Sequence, residues 1–372
     1  MKSKVYMTNM RTTYGNSLLK KVEILMKKSG LLDYDLKDKF VALKIHYGEY
    51  GNLAYIKPQY LKVIGDLIKE KGGKPFLVDC STLYSGSRSD AISHLNTAAL
   101  NGWDYRATGM ENIIGDGLRG NDHTVIPINL KHCSSAKIGT ALTEADIILS
   151  INHFKGHEQA GFGGALKNLG MGCGSKLGKL EMHSGSKPEL NQDECIGCTK
   201  CTHHCNQQAI SMTEKKAHID NDLCVGCGEC IVVCPVGAIT QGSSEVSKIL
   251  NEKIAEYTYA VLKDKEHFHV NFITNVSPNC DCWGSNDAPI VPDIGILASS
   301  DPVAIDQASV DLVNEAYALS NTVLEEASHD VDEKDKFKCI HKNVDWKSGL
   351  IYAEELELGT FDYELIKLDE EN

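Results

Sequence analysis

CIGCTKCTHHCN (Cys195–Asn206) and CVGCGECIVVCP (Cys224–Pro235) decide how this chain is read. Both runs follow C-x2-C-x2-C-x3-C, with cysteines at 195, 198, 201 and 205 and again at 224, 227, 230 and 234. Eight cysteines in one register, repeated after 29 residues, form a repeat of chemistry rather than of packing.

This is the spacing of bacterial two-cluster ferredoxins, where three closely spaced thiolates hold one cubane and the fourth crosses to the other. It predicts one 4Fe–4S cluster on Cys195, Cys198, Cys201 and Cys234. The second would use Cys224, Cys227, Cys230 and Cys205. The competing readings are zinc sites, which usually show two separated C-x2-C pairs, and a disulfide knot, which does not suit a cytosolic chain. Asn206 stands where the second run has Pro235, which leaves ligation intact and alters the local turn. His203 and His204, between two of the ligands, are read as tuning potential or solvent access.

Working outward, 372 residues with 42% hydrophobic and 24% charged side chains leave room for a large α/β domain plus a small module. A formal net charge of −13 without a basic stripe argues against a nucleic-acid partner. The first ten residues hold no apolar core of a signal peptide, and no run approaches 18 apolar residues, so neither export nor a membrane span is expected. Fourteen cysteines without an export signal suit the cytoplasm. Oligomeric state is left open.

On both sides of the cysteine runs, apolar strands alternate with amphipathic helices. Phe40–Ile45, Lys74–Asp79, Ala145–Ile151, His269–Thr274 and Ile294–Ala298 read as strands, with His123–Leu130 a further candidate. Lys57–Gly72, Asp90–Leu100 and Glu245–Leu262 read as helices, and Asp301 as the N-cap of another that begins at Pro302. The rhythm predicts an α/β fold: a mainly parallel sheet with flanking helices, made by residues 1–190 and 241–372. Residues 191–240 would be an inserted α+β ferredoxin-type domain. The charged stretch Asp330–Lys338 and the acidic tail from Glu354 read as solvated surface.

Ligands of open parallel sheets sit beyond the carboxyl ends of the strands. Polar residues follow five of the strands: His46; Asp79 and Cys80; Asn152, His153, Lys155 and His157; Asn275, Asn279, Cys280 and Cys282; and Ser299 to Asp301. The densest segment is NHFKGHEQAGFGGALKNLGMGCGSK (Asn152–Lys176), whose seven glycines allow close backbone approach. From it come His157 and Lys167, with His46, as candidate catalytic residues. Gly161, Gly163 and Gly164 are candidate cofactor contacts, opening a helix whose free N–H groups could bind an anion. Cys280-Asp281-Cys282 could hold a soft metal, act as a redox thiol pair, or be buried, and Cys173 could join it. A metal or organic cofactor in this cleft, beyond the two clusters, is therefore a further expectation. Cys80, Cys133 and Cys339 are read as packing residues, His183 as a marginal site member, and Asp306 as facing the cleft or extending a helix start.

The segments KIHYGEYGNLAYIKP, LYSGSRSDA, GDGLRG, HFKGHEQAGFGGALKNLGMGCGSK, NVSPNCDCW and DIGILASSDPVAIDQA resemble the domain-of-unknown-function 362 family, over about Val5 to Leu312. More narrowly they resemble its branch of iron–sulfur centre proteins with an inserted two-cluster ferredoxin. The resemblance implies the clusters and the split host domain, and no reaction. One segment, His157 to Lys167 across AGFGGAL, is also similar to a stretch of nickel-pincer lactate racemases. That likeness implies His157 as a proton-transfer residue and Lys167 as a cofactor tether or anion ligand. Three functions follow as expectations: an iron–sulfur oxidoreductase, a non-enzymatic electron carrier docking a redox partner protein, or a racemase or isomerase with structural clusters. The first would pass electrons to a small-molecule substrate or a cofactor in the host cleft.

Overall fold

Strands covered on both faces need apolar residues at nearly every position, and FVALK, KPFLVD and IILSINH supply them. The computed structural model describes residues 2–84, 86–183, 187–240, 244–328 and 334–369, and places these runs near the middle of an eight-stranded sheet. Its strands are β1 (Ser3–Asn9), β2 (Phe40–Lys44), β3 (Lys74–Asp79), β4 (Asn112–Ile114), β5 (Ile147–His153), β6 (Glu266–Ile273), β7 (Gly295–Ser299) and β8 (Tyr363–Lys367). Their order across the sheet is β8-β1-β7-β6-β5-β2-β3-β4. Neighbours run parallel except on the two sides of β7, which is antiparallel to β1 and β6. The fold is α/β with a mainly parallel sheet.

Successive side chains of a strand point to opposite faces, and the core divides accordingly. Val41, Leu43, Leu149, Val270 and Phe272 pack on one face against α1 (Leu18–Lys28) and α2 (Pro58–Glu70). On the other face Ala42 and Ile148 meet Leu169 of α3 (Ala165–Cys173) and Ile254 and Tyr257 of α4 (Ser244–Leu262). Farther along that face, Ile273 and Leu297 pack with Val303 and Ile305 of α5 (Pro302–Glu315). Between these two clusters the strands present polar residues instead. Asn152 and Asn271 hydrogen-bond each other at 2.8 Å, and Asn271 donates to Asp306 at 2.9 Å.

Asp306 then does what a helix start requires. Its carboxylate accepts from the Ala165 and Leu166 amides at 2.7 and 3.0 Å, the free N–H groups at the head of α3. Gly164 is obligatory there, because a Cβ would stand 2.2 Å from the Asp306 carboxylate. The helix that carries Lys167 is therefore seated by a buried acid, itself held from the sheet.

Several expectations change. Asn152 and His153 are the last residues of β5 rather than a following loop. His123–Pro127 is a strand, paired with Ser135–Gly139 in a separate hairpin. Because β7 is antiparallel, Ser299 and Asp301 lie at the opposite end of the sheet from the other polar strand ends; Asp301 does cap α5, as expected. The acidic tail is not only solvated surface, since Tyr363–Lys367 forms edge strand β8 against β1. Within the charged stretch, Lys336–Ile340 is a short helix capped by Asp335, while 330–333 fall outside the described residues.

Candidate functional site

The carboxyl ends of β2, β3 and β5 and the loop after β6 surround a cavity of about 90 Å³. His46, Asp79, His157, Lys167 and Cys282 line it, with the stacked rings of Tyr84 and Trp283. Four of the five strand ends singled out by the sequence thus meet at one place.

The loop after β6 is fixed from beneath. Both ring nitrogens of His153 face oxygens, Nδ1 at 2.8 Å from the Asp281 carboxylate and Nε2 at 2.8 Å from the Thr274 carbonyl. Lys155 Nζ stands 3.5 Å from the same carboxylate, and the Glu49 amide donates to the Asp281 carbonyl at 2.9 Å. Burial alone would raise the Asp281 carboxyl, but His153 and Lys155 outweigh it and hold it far below the usual range. Gly156 lies against this loop, and a Cβ there would be 2.0 Å from the Pro278 carbonyl oxygen. His153 is thus a buried anchor for the loop, not a cleft acid or base.

With Asp281 anchored inward, the flanking sulfurs face each other, Cys280 Sγ to Cys282 Sγ at 2.9 Å. His46 Nε2 stands 3.3 Å from Cys282 and Lys167 Nζ 3.7 Å from Cys280. By distance, His46, Cys280 and Cys282 are a group that could hold a metal ion, their ligand atoms all within 4.8 Å of one another. One hydrogen bond weighs against His46 in that role. The Gly48 amide, which can only donate, points at His46 Nδ1 from 3.1 Å. A neutral ring then carries its proton on Nε2 and offers Cys282 a donor rather than a lone pair. Burial, with Arg88 nearby, pushes His46 down to about 4, so the ring is neutral at ordinary pH.

The charges around the sulfurs are consistent with this. The hydrogen bond from Cys280 holds the Cys282 thiol well below its usual range; burial opposes this, and Lys167 and His46 reinforce it. Burial and the neighbouring Cys282 sulfur push Cys280 up. Burial alone would lower Lys167, but the two sulfurs outweigh it and raise it, so Lys167 is an ammonium.

His157 presents the same logic as His46. Its Nδ1 accepts from the Gln159 and Ala160 amides, both at 3.1 Å, leaving Nε2 with the proton, 3.9 Å from Glu158 Oε1. Burial and then Lys167 keep the ring far below its ordinary value. It can offer a hydrogen bond from Nε2, and it is not a resting base.

Other candidates separate. Gly163 and Gly164 line the cleft, but Gly161 does not: at φ +85° it lies against Trp346, where a Cβ would approach to 2.5 Å. The expected anion site at the head of α3 is filled by Asp306. Cys173 does not join Cys280 and Cys282; it ends α3 in the core, its carbonyl 3.6 Å from Cys80 Sγ. Burial pushes its thiol up to about 12, as expected of a packing residue. Cys80, Cys133 and Cys339 are buried as read, and His183 does line the cavity.

The sequence reading missed the buried charges behind the cleft. Lys44 pairs with Asp79 at 3.0 Å and donates to Asn168 at 2.7 Å, while Arg88 bridges Glu49 and Asp79 at 3.1 and 3.5 Å. A lysine inside the apolar run FVALK was a usable signal. Arg88, in a polar loop, gave none.

The eight spaced cysteines fall into two groups. Cys205, Cys224, Cys227 and Cys230 line one small cavity, and Cys195, Cys198, Cys201 and Cys234 line another. Backbone amides point at several of the sulfurs, among them Ala209 at Cys205 (3.3 Å), Ala217 at Cys195 (3.5 Å) and Gly226 at Cys224 (3.4 Å). Glu189–Leu190 and Ile239–Thr240 pair as neighbouring strands, so the chain leaves this region beside where it came in. Cys201, Ile210, Ala217, Cys230 and Ile239 give it a core cluster of its own. Cys227 also lines the main cleft, and Gln159 reaches across to the Gly226 carbonyl at 3.4 Å.

Fold and site together define a cysteine-rich α/β protein with a thiol-bearing cleft at the ends of its parallel strands. The chain belongs to the family described as domain of unknown function (DUF362), whose model matches residues 41–311. No curated protein matches it. Among solved structures it is similar to the lactate racemase apoprotein from Thermoanaerobacterium thermosaccharolyticum, at 13% identity and a TM-score of 0.39, over 73% of this chain and 51% of that one. It is also similar to a Thermotoga maritima protein, at 15% identity and a TM-score of 0.40, over 75% and 55%. The chain thus spans about half the length of either structure. Among the described residues, no helix is long and apolar enough to cross a membrane.

Proposed function

We propose that this is an iron–sulfur protein that carries electrons to or from a group in the host cleft. Residues 191–240 act as a ferredoxin-like insertion. Cys195, Cys198, Cys201 and Cys234 would hold one 4Fe–4S cluster, and Cys224, Cys227, Cys230 and Cys205 the other. The donor sets fit: each cavity has four cysteines, and amides aimed at their sulfurs would stabilise thiolates. When bound, such clusters supply electrons one at a time.

The observation that carries the reading is Cys227, which lines both a four-cysteine cavity and the cleft of Lys167 and Cys282. Tethering in one chain makes delivery intramolecular. In the cleft, Lys167 places a positive charge beside the sulfurs and His157 presents a hydrogen-bond donor at Nε2. A redox partner protein or small molecule completes the circuit.

Anaerobically purified protein tests this through iron and acid-labile sulfide content and the electron paramagnetic resonance of the reduced state. Two cubane signals are expected, one disappearing in Cys227→Ser and the other in Cys198→Ser. Zinc in place of iron, or two intact signals in both variants, would overturn the reading.

A further inference from the structure

We infer that Cys280 and Cys282 form a dithiol–disulfide couple, the group in the cleft that takes up and gives out electron pairs by exchange with thiols and disulfides. The 2.9 Å between their sulfurs is within about 1 Å of the roughly 2.05 Å of a disulfide bond. The groups around them suit a thiolate. His46 Nε2–H and the Lys167 ammonium converge on the pair, and Cys280 donates to Cys282. Cys282 lines the cavity, so a substrate sulfur can reach it. Its depressed ionisation agrees with this arrangement and adds nucleophile at neutral pH. The Gly48 amide on His46 Nδ1 counts against the alternative, a metal held by the same three residues.

The exchange balances within the pair and its substrate. Cys282 attacks one sulfur of a substrate disulfide RS–SR′, forming Cys282–S–SR and expelling R′S⁻. Cys280 then gives up its proton, and its sulfur attacks Cys282 Sγ, expelling RS⁻ and closing the Cys280–Cys282 bond. Counted from the neutral dithiol, two electrons and two hydrogens pass to the substrate, which leaves as RSH and R′SH. The inference rests on the proposed function only for the source of the two electrons that later restore the dithiol.

Trypsin makes the pair readable. The peptide Glu266–Lys334 has no internal lysine or arginine and contains Cys280 and Cys282 as its only cysteines. Anaerobic full-length protein is treated with glutathione disulfide, alkylated, digested and weighed. The peptide is expected to lose both alkylation sites and gain a disulfide, reversed by dithiothreitol. Cys280→Ser is expected to trap glutathione on Cys282. Lys167→Gln, with its iron content intact, is expected to slow Cys282 alkylation at pH 6.5, because the ammonium that favours the thiolate is gone. A pair that stays doubly alkylated, or one zinc, nickel or copper ion per chain that is lost in Cys282→Ser, would overturn the inference. An unreactive pair beside intact cubane signals defeats the couple alone; a reactive pair in protein without iron defeats the proposed function alone.

Discussion

Removing the Asp306 carboxylate should cost stability in a way that depends on pH with a definite sign. Asp306→Ala strips the acceptor from the Ala165 and Leu166 amides and from the Asn271 side chain. Loss of a helix cap costs about 0.5–2 kcal/mol, and a buried donor left without a partner about 1–3 kcal/mol. A total near 3 kcal/mol is expected where the wild-type carboxyl is protonated. Burial raises that carboxyl to about 6 from 3.8, against the pull of its hydrogen bonds. The folded state therefore holds the proton longer than the unfolded chain. Its contribution is complete below 3.8 and is lost as pH rises through about 6. Alanine has no such dependence, so the difference between the two proteins should shrink by about 1.4 kcal/mol from pH 5 to pH 7.5. The buried histidines titrate equally in both and cancel. Urea unfolding followed by fluorescence of the buried Trp103 and Trp346 gives the global difference, and amide exchange across α3 gives the local one. A difference that is constant with pH, or that grows as pH rises, would refute the assignment of Asp306 as the acid seating α3.

Three further outcomes follow from particular contacts. Gly156→Ala drives a Cβ into the Pro278 carbonyl, so it should cost about 1–3 kcal/mol in thermal or urea unfolding and alter Cys282 alkylation, because the displaced loop carries both sulfurs. Cys80→Ala should leave iron content unchanged while Cys227→Ser lowers it, a contrast read by metal analysis, since Cys80 is a core residue and Cys227 one of the proposed cluster ligands. His46, His183 and His341 are each pushed by burial to about 4 from 6.5. Their unfolded forms take up protons first, so stability is full above 6.5 and is lost as pH falls toward 4; a protein equally stable at pH 7 and pH 4.5 would contradict these buried neutral rings.

The middle of the sheet was legible because its strands are apolar at almost every position and their helices amphipathic. Edge strand β8 and its neighbour β1 were not, since YELIK and SKVYMTN mix polar and apolar residues over half-buried positions. The direction of β7 was invisible too: GILAS reads alike in a parallel or an antiparallel pair, so Asp301 was assigned to the wrong end of the sheet. At the site, Cys280, Cys282, His46, His157 and Lys167 could be named from strand ends and glycine-rich sequence. Their partners could not, because the bonds from Gly48 to His46 and from Asp306 to α3 are made by backbone groups. Cys173 misled for a related reason. It follows the glycines in sequence, but one helix of nine residues carries it away from Lys167 into the core.

The position of β1 has a consequence for how the molecule is made. Within the described sheet it pairs with β7 and β8 alone, and 285 residues separate Asn9 from Gly295. At roughly 5–20 residues per second, a ribosome takes about 15–60 s to cover that interval. Strands β2, β3, β4 and β5 need no later partner to pair among themselves. The cysteine runs then emerge while β1 is still without its neighbours. A nascent chain therefore has its thiols exposed, and the His46 side of its cleft assembled, well before the sheet is complete.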